Sequence, residues 1–484
     1  MVLAGDPPDL VEVATGTRSP ERLLRVISGI QNEEFSRGLR IAHDLFAERT
    51  AWNINSTASG GGVAEMLQSI VPYARGAGVD ARWVVIGGTE DFFRITKRLH
   101  NRLHGASGDG GELGARELQQ YLAVLDVNAD RLLQRVQARD VVVLHDPQTA
   151  GLIPRFREAG NAVIWRCHVG VLDPNSLVHQ AWDFLRPFVQ QADAYIFSTR
   201  GFVWDGLDPS RLTIVPPSID PFSPKNDDLS DEQVHAILVA SGLVAGDADP
   251  RHAAFTRLDG TRATIAHRSE VTESAPLTEA TPLVLQVSRW DRLKDPAGVL
   301  QGFVEHCIPT TDAHLMLAGP SVAHVADDPE GLAVSMEIHD AWAALPEAAR
   351  ARVHLATLQM NDVEENAATV NALQRRATVA VQKSLAEGFG LTVAEAMWKA
   401  RPVVASRVGG IQDQIEDGRS GCLVAPRNLT AFGSALTSLV RDPALAQRMG
   451  DAARERVREH FLISRHLLQY LELISALLQR RGSG

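Results

Sequence analysis

Short apolar runs alternate along the chain with longer stretches of helical periodicity. In the first half the runs fall at residues 82–86, 141–144, 162–167, 194–198 and 212–215, with helical patterns such as 63–77 and 150–159 between them. The second half repeats the theme at 283–288, 314–318, 353–356, 379–382 and 402–405. Runs with little polar alternation predict strands buried on both faces, hence parallel sheets covered by helices. The expected fold class is α/β, with two doubly wound, Rossmann-like domains facing a cleft.

Punctuation sets the expected boundaries. Consecutive prolines in Val215-Pro216-Pro217-Ser218 continue neither a helix nor a central strand. Residues 1–35 read as a separate N-terminal arm, 36–217 as the first domain and 218–459 as the second. The polar stretch 241–281 reads as an insertion, with a hairpin turn at Asp259-Gly260. The apolar-periodic stretch 435–478 is expected to be mostly helical.

Composition narrows the class. The chain has 484 residues, 45% hydrophobic and 22% charged, which suits two globular domains. A formal net charge of -11 shows no basic footprint, so no nucleic-acid partner is expected. The three cysteines, Cys167, Cys307 and Cys422, are scattered, which argues against disulfides or a zinc site and suits a reducing cytoplasm. No signal peptide is read in Met1 to Pro8. No apolar stretch approaches the ~20 residues that span a bilayer, so no membrane partner is expected.

Four segments carry candidate chemistry. In the stretch from Asn53 to Glu65, Gly60, Gly61 and Gly62 precede a helix. They form either a phosphate-approaching loop or a flexible turn. Arg289 and Lys294 follow the predicted strand 283–288, where ligands bind in open α/β sheets. They either neutralise a diphosphate or pair on the surface with Asp291 and Asp295. In the run from Glu387 to Met397, Gly388 and Gly390 form a loop before a helix expected near Leu391, whose free N–H groups suit phosphate or sugar oxygens. Glu387 and Glu395 are either hydroxyl acceptors or a capping acid and a solvated one. The runs His145-Asp146-Pro147-Gln148 and Trp165-Arg166-Cys167-His168 follow neighbouring strands. His168 is read as a donor to a hexose hydroxyl, or as structural. Asp247-Ala248-Asp249 resembles a metal-binding DxD, but no strand precedes it, so no metal site is assigned.

The spacing from Glu387 to Glu395 is E-x7-E, and it resembles the retaining nucleotide-sugar glycosyltransferases of family four. The early glycine loop and the Arg289/Lys294 pair fall in that family's order. More narrowly, 52–65, 81–86 followed by 92–104, 145–148 and 166–170 resemble the trehalose synthases of the glycosyltransferring type. Those join a nucleotide-activated glucose to free glucose with retention.

The resemblance implies the following roles. Arg289 and Lys294 would hold the diphosphate and Glu395 the ribose. Glu387 with Phe389, Gly390 and Leu391 would bind the donor hexose, contacted also by His168. Gly61 and Gly62 would approach the phosphate. Asn55, Ser56, Asp146, Gln148 and Arg166 would face the acceptor. The last helix, about 460–480, would cross back to the first domain. The implied enzyme is a cytoplasmic homodimeric hexosyltransferase that needs no cofactor and uses UDP-, ADP-, GDP- or TDP-glucose. Trehalose phosphorylase, another family-four transferase with a different acceptor, and a non-catalytic sugar-nucleotide-binding protein are the alternatives. A retaining glycosidase needs two carboxylates flanking the bond about 5 Å apart. The two glutamates are read here as binding groups. The resemblance implies same-face attack, with the departing phosphate helping to take the acceptor proton.

Overall fold

Two seven-stranded sheets organise the chain, each six parallel strands with one antiparallel edge strand. The computed structural model describes residues 9–59, 61–321 and 329–482. Gly60 and residues 1–8, both part of the expectations above, lie outside the described residues.

The first sheet comprises β1 (Val11–Glu12), β2 (Thr50–Asn55), β3 (Asp80–Val85), β4 (Val141–His145), β5 (Ala162–Cys167), β6 (Ala194–Phe197) and β7 (Leu212–Ile214). Its order is β1-β3-β2-β4-β5-β6-β7. Every residue of β4 and β5 is buried, which explains why apolar residues dominate both, with His145 and Arg166 as the polar members. Trp165, Phe197 and Trp204 pack below them, with Trp165 and Trp204 centred 5.0 Å apart edge-on.

The second sheet comprises β8 to β16 less a separate hairpin. The hairpin is β8 (Ala254–Thr256) and β9 (Arg262–Thr264), turning at Asp259-Gly260. The sheet strands are β10 (Glu270–Thr272), β11 (Leu283–Val287), β12 (His314–Pro320), β13 (Val353–Leu358), β14 (Val379–Gln382), β15 (Val403–Ser406) and β16 (Cys422–Val424). Their order is β10-β13-β12-β11-β14-β15-β16.

The segments expected to stand apart are built into the sheets. The expected N-terminal arm is not separate: Val11 and Glu12 pair antiparallel with Val85 and Val84 on the edge of β3. The expected insertion likewise supplies β10, antiparallel to the edge strand β13. Each covers a strand edge that would otherwise expose unpaired backbone groups.

By contacts the chain divides after Ser218. One unit holds the residues up to Ser218 together with Ile463–Gly484, and the other holds Ile219–Leu462. The C-terminal stretch is helical at Leu429–Arg441, Pro443–His460 and Ile463–Gly482. The last of these packs on the first unit, where Leu468 fills the space beside Gly38 of the helix Ile30–Leu45. No helix among the described residues is long and apolar enough to cross a membrane.

Candidate functional site

Strand order locates the sites. In the first unit the chain runs from β2 outward to β3, then returns to β4 on the other side of β2. In the second it runs from β11 through β12 to β13, then returns to β14 on the other side of β11. At such switch points the loops after the two strands part and leave a crevice at the carboxyl ends. The loops involved hold Ser56, His145, Asp146 and Gln148 in one unit, and Arg289, Lys294 and Glu387 in the other.

In the second unit the two loops are stitched together. Leu385 N–H donates to Leu293 O at 2.7 Å. Lys294 Nζ meets Glu387 Oε2 at 2.5 Å, with 17% and 11% of the two side chains exposed. Ser384 Oγ and Gln382 Nε2 donate to the same oxygen at 3.2 and 3.4 Å. Gln286 Nε2 fixes the Lys294 carbonyl at 3.0 Å. Behind them the buried Lys383 ammonium pairs with Asp295, a non-glycine at φ 50° that also caps the helix Pro296–Gly302. Lys383, Asp295, Gln382 and Gln286 are thus supporting residues, of which the sequence suggested only Asp295, and as a surface partner of the Arg289/Lys294 pair.

Arg289 differs. Its side chain is 70% exposed and only loosely paired with Asp291, at 3.4 Å. A cation left this solvated keeps its charge available for an incoming anion.

Gly390 caps the helix Leu391–Trp398 at φ 79°, a conformation that costs a side-chain-bearing residue energy. The Gln414 side-chain amide donates to the Phe389 and Gly390 carbonyls, and Gly410 N–H donates to Gly388 O at 2.8 Å. Gly409 presses hardest on the loop: a Cβ there would stand 1.7 Å from Glu387 O. The helix N–H groups therefore open onto a fixed loop, a geometry suited to anions.

Glu395, one turn inside that helix, is 3% exposed. Its Oε1 lies 3.5 Å from Lys225 Nζ, and its Oε2 has no hydrogen-bond partner among the described residues. Lys399 sits below it, buried, with Nζ donating to Asn226 Oδ1 and Glu395 O at 3.0 Å each. Burial drives the Lys399 pKa well down. A buried carboxylate oxygen without a donor has a standing demand for one, such as a hydroxyl.

In the first unit the helix Gly62–Gly76 follows Gly61, and no atom of the described residues lies within 4 Å of where a Cβ would stand on Gly61 or Gly62. Asp146 is a second strained non-glycine, at φ 63°. Its Oδ1 accepts His168 N–H at 2.8 Å, and its carbonyl accepts Trp165 Nε1 at 3.1 Å. Burial pushes its pKa up to about 7. Ser56, Asp146, Gln148 and His168 all keep partial exposure.

Two expected acceptor groups are placed otherwise. Arg166 is fully buried, donating to His466 Nε2 at 2.7 Å, Tyr470 Oη at 2.6 Å and Val215 O at 3.2 Å. It anchors the C-terminal helix and does not face an acceptor. Asn55 is 3% exposed, with its amide occupied by Trp83 Nε1 at 2.8 Å and Thr57 O at 2.7 Å. It shapes the start of the glycine loop. Of the DxD-like pair, Asp249 caps a 3-10 turn and pairs with Arg251.

Burial makes the fold acid-sensitive. It pushes His145 down to about 3, and His100, His314 and His354 down to about 4. These rings stay neutral in the fold while the unfolded chain takes up protons below pH ~6.5. Their stabilisation is therefore full above pH ~6.5 and is lost as pH falls toward about 4. Asp146 acts oppositely: its contribution is full below its unfolded value and lost as pH rises through about 7. The histidines outnumber it, so the thermal midpoint is expected to drop by at least about 5 °C between pH 7.5 and 5. Calorimetry at the two pH values checks this, and an equal or higher midpoint at pH 5 contradicts it.

Known proteins bear on the whole arrangement. Residues 53–204 match the family model "Trehalose synthase, N-terminal domain", and 268–456 match "Glycosyl transferases group 1". The trehalose synthase of Thermococcus litoralis is 36% identical over 453 residues, 92% of this chain and 95% of that one. That of Rubrobacter xylanophilus is 37% identical over 445 residues, 91% of each. Among solved structures, the α,α-trehalose-phosphate synthase (UDP-forming) of Burkholderia xenovorans, in complex with glucose-6-phosphate, superposes with a TM-score of 0.62. It is 15% identical, with 89% of this chain and all of that one covered, so it speaks for the fold alone. With its two Rossmann-like units and this depth of identity along nearly its whole length, the chain belongs to the trehalose synthase family of glycosyltransferases.

Proposed function

We propose that this hexosyltransferase moves glucose from a nucleotide-activated glucose to free glucose, with retention, forming α,α-trehalose reversibly. The observation that carries the donor half is the stitched loop pair of the second unit. Lys294, held against Glu387 at 2.5 Å, and the exposed Arg289 follow β11, and the helix Leu391–Trp398 begins just past Glu387 with no side-chain cap. Two cations and a helix N-terminus suit a leaving diphosphate, and they supply charge stabilisation where negative charge develops. The unpartnered Glu395 Oε2 suits a ribose hydroxyl, and Glu387 a hexose hydroxyl.

The acceptor half rests on Ser56, Asp146 and Gln148, neutral or acidic groups matched to hydroxyls. A phosphorylated acceptor needs a cation, and Arg166 is committed to His466 and Tyr470. That favours free glucose over glucose 6-phosphate. Catalysis on this reading is positioning plus stabilisation of the departing diphosphate, whose oxygen helps take the acceptor proton as the new bond forms on the same face.

The test is incubation with each nucleotide-glucose plus glucose, and separately with trehalose plus inorganic phosphate. Trehalose and nucleoside diphosphate are expected from the first, and no glucose 1-phosphate from the second. Phosphorolysis without nucleotide would make the protein a phosphorylase. Because Arg289 and Lys294 supply the positive charge, turnover is also expected to persist in excess EDTA. Loss of activity restored by magnesium or manganese would refute that arrangement.

A further inference from the structure

Behind His168 stand His145 and Asn53, the first residues of two of the segments named above. His168 Nε2 lies 3.1 Å from His145 Nδ1, and His145 Nε2 lies 3.3 Å from Asn53 Oδ1. The two rings are nearly parallel, 19° apart with centroids at 5.5 Å. Three neighbouring elements supply the chain: Asn53 from β2, His145 from the end of β4 and His168 from just beyond β5. Asn53 and His145 are buried, at 8% and 1% exposure, so water does not compete for these contacts.

The chain has a direction. An amide oxygen only accepts, so the nitrogen facing it carries a proton. His145 is then the Nε2–H tautomer, and its Nδ1 offers a lone pair to His168. His168 must donate Nε2–H in return, which leaves its Nδ1 unprotonated. Protonating either ring would break this order. Both are kept neutral, first by burial and then by the Arg166 charge.

We infer that Asn53 and His145 are positioning residues that fix His168 in the Nε2–H tautomer, so that His168 accepts a hydrogen bond from a hexose hydroxyl and does not donate one. This deepens the proposed function, because it rests on His168 meeting the transferred hexose. It reverses the donor role that the sequence suggests for His168. The arrangement selects for a hydroxyl at that point of the sugar and against a group that only accepts. Asp146 Oδ1, holding the His168 backbone N–H, fixes the ring's position without touching its protonation.

The experiment has two arms. In the first, the wild-type protein is labelled with ¹⁵N-histidine and long-range ¹H–¹⁵N correlations are recorded at pH 7.5. Both His145 and His168 are expected as Nε2–H tautomers. A protonated Nδ1 on either ring, as a turned Asn53 amide would impose, overturns the inference. In the second arm Asn53→Leu and Asn53→Asp are compared. Leucine fits the buried site but accepts nothing, so His168 is expected to show mixed tautomers. The KM for nucleotide-glucose should rise about tenfold with kcat nearly unchanged, as for loss of one ground-state hydrogen bond. Aspartate still accepts from His145, so it should restore both readouts relative to leucine. An Asn53→Leu protein with the wild-type tautomer signal and wild-type KM overturns the inference. If no nucleotide-glucose is turned over by the wild-type protein, the functional reading fails, while the tautomer arm still decides the direction of the chain.

Discussion

Replacing Lys294 by alanine is expected to lower turnover about a hundredfold at saturating nucleotide-glucose, equivalent to ~3 kcal/mol of lost transition-state stabilisation. Two losses combine. The leaving diphosphate loses a cation, and Glu387 loses the partner 2.5 Å away that holds its carboxylate. Among the described residues, the Ser384 and Gln382 contacts, at 3.2 and 3.4 Å, then remain on Glu387 Oε2. Breaking a largely buried pair also strands a charge, so Lys294→Ala should unfold at lower temperature than wild type. Arg289→Ala separates the two effects. That side chain is 70% exposed and loosely paired, so its removal should cut turnover comparably and leave the thermal midpoint unchanged. Steady-state kinetics with parallel calorimetry reads both. Near-wild-type turnover in both variants would remove the diphosphate assignment.

The second large effect comes from a residue with no charge. In Gly409→Ala the new Cβ would stand 1.7 Å from Glu387 O and 3.1 Å from Gly388 O, at a backbone φ of 48°. Backbone atoms cannot swing aside as a flexible side chain does, so the loop carrying Glu387 has to move. Displacement of binding groups by about an ångström is enough to cost roughly a hundredfold in kcat/KM. The strained backbone adds about 1–3 kcal/mol of destabilisation. Gly418→Ala is the matched control: its φ is 78°, but nothing lies within 4 Å of the added atom. It should show the modest stability loss without the catalytic one. Equal kcat/KM in the two variants would show that contact with the Glu387 loop is irrelevant to activity.

These residues also show what the linear sequence could and could not convey. β4, β5, β11 and β14 are dominated by apolar residues because both faces are covered, so their runs are visible without any structure. The edge strands Val11–Glu12 and Glu270–Thr272 are short and partly exposed, so no apolar run marks them. Glu387 and Lys294 stand in recognisable spacings. Their supports Lys383, Asp295 and Gly409 do not, because their roles arise only where separate loops meet. Arg166 illustrates the opposite error. A cation near a strand end suggests a ligand, yet its guanidinium turns toward the C-terminal helix, 300 residues away in sequence. Alternation along one strand does not reveal a partner so distant. Asn55 is similar: Trp83 on the adjacent strand takes its side-chain oxygen.

Product analysis by NMR tests most directly whether this protein transfers glucose to free glucose with retention. Uniformly ¹³C-labelled glucose and unlabelled nucleotide-glucose are supplied together, with labelled glucose 6-phosphate in a parallel sample. Trehalose labelled in one ring only, with both anomeric centres α, is expected, and no product from the phosphorylated sugar. Glycosylation of glucose 6-phosphate alone, or a product with a β linkage to the transferred ring, would contradict it.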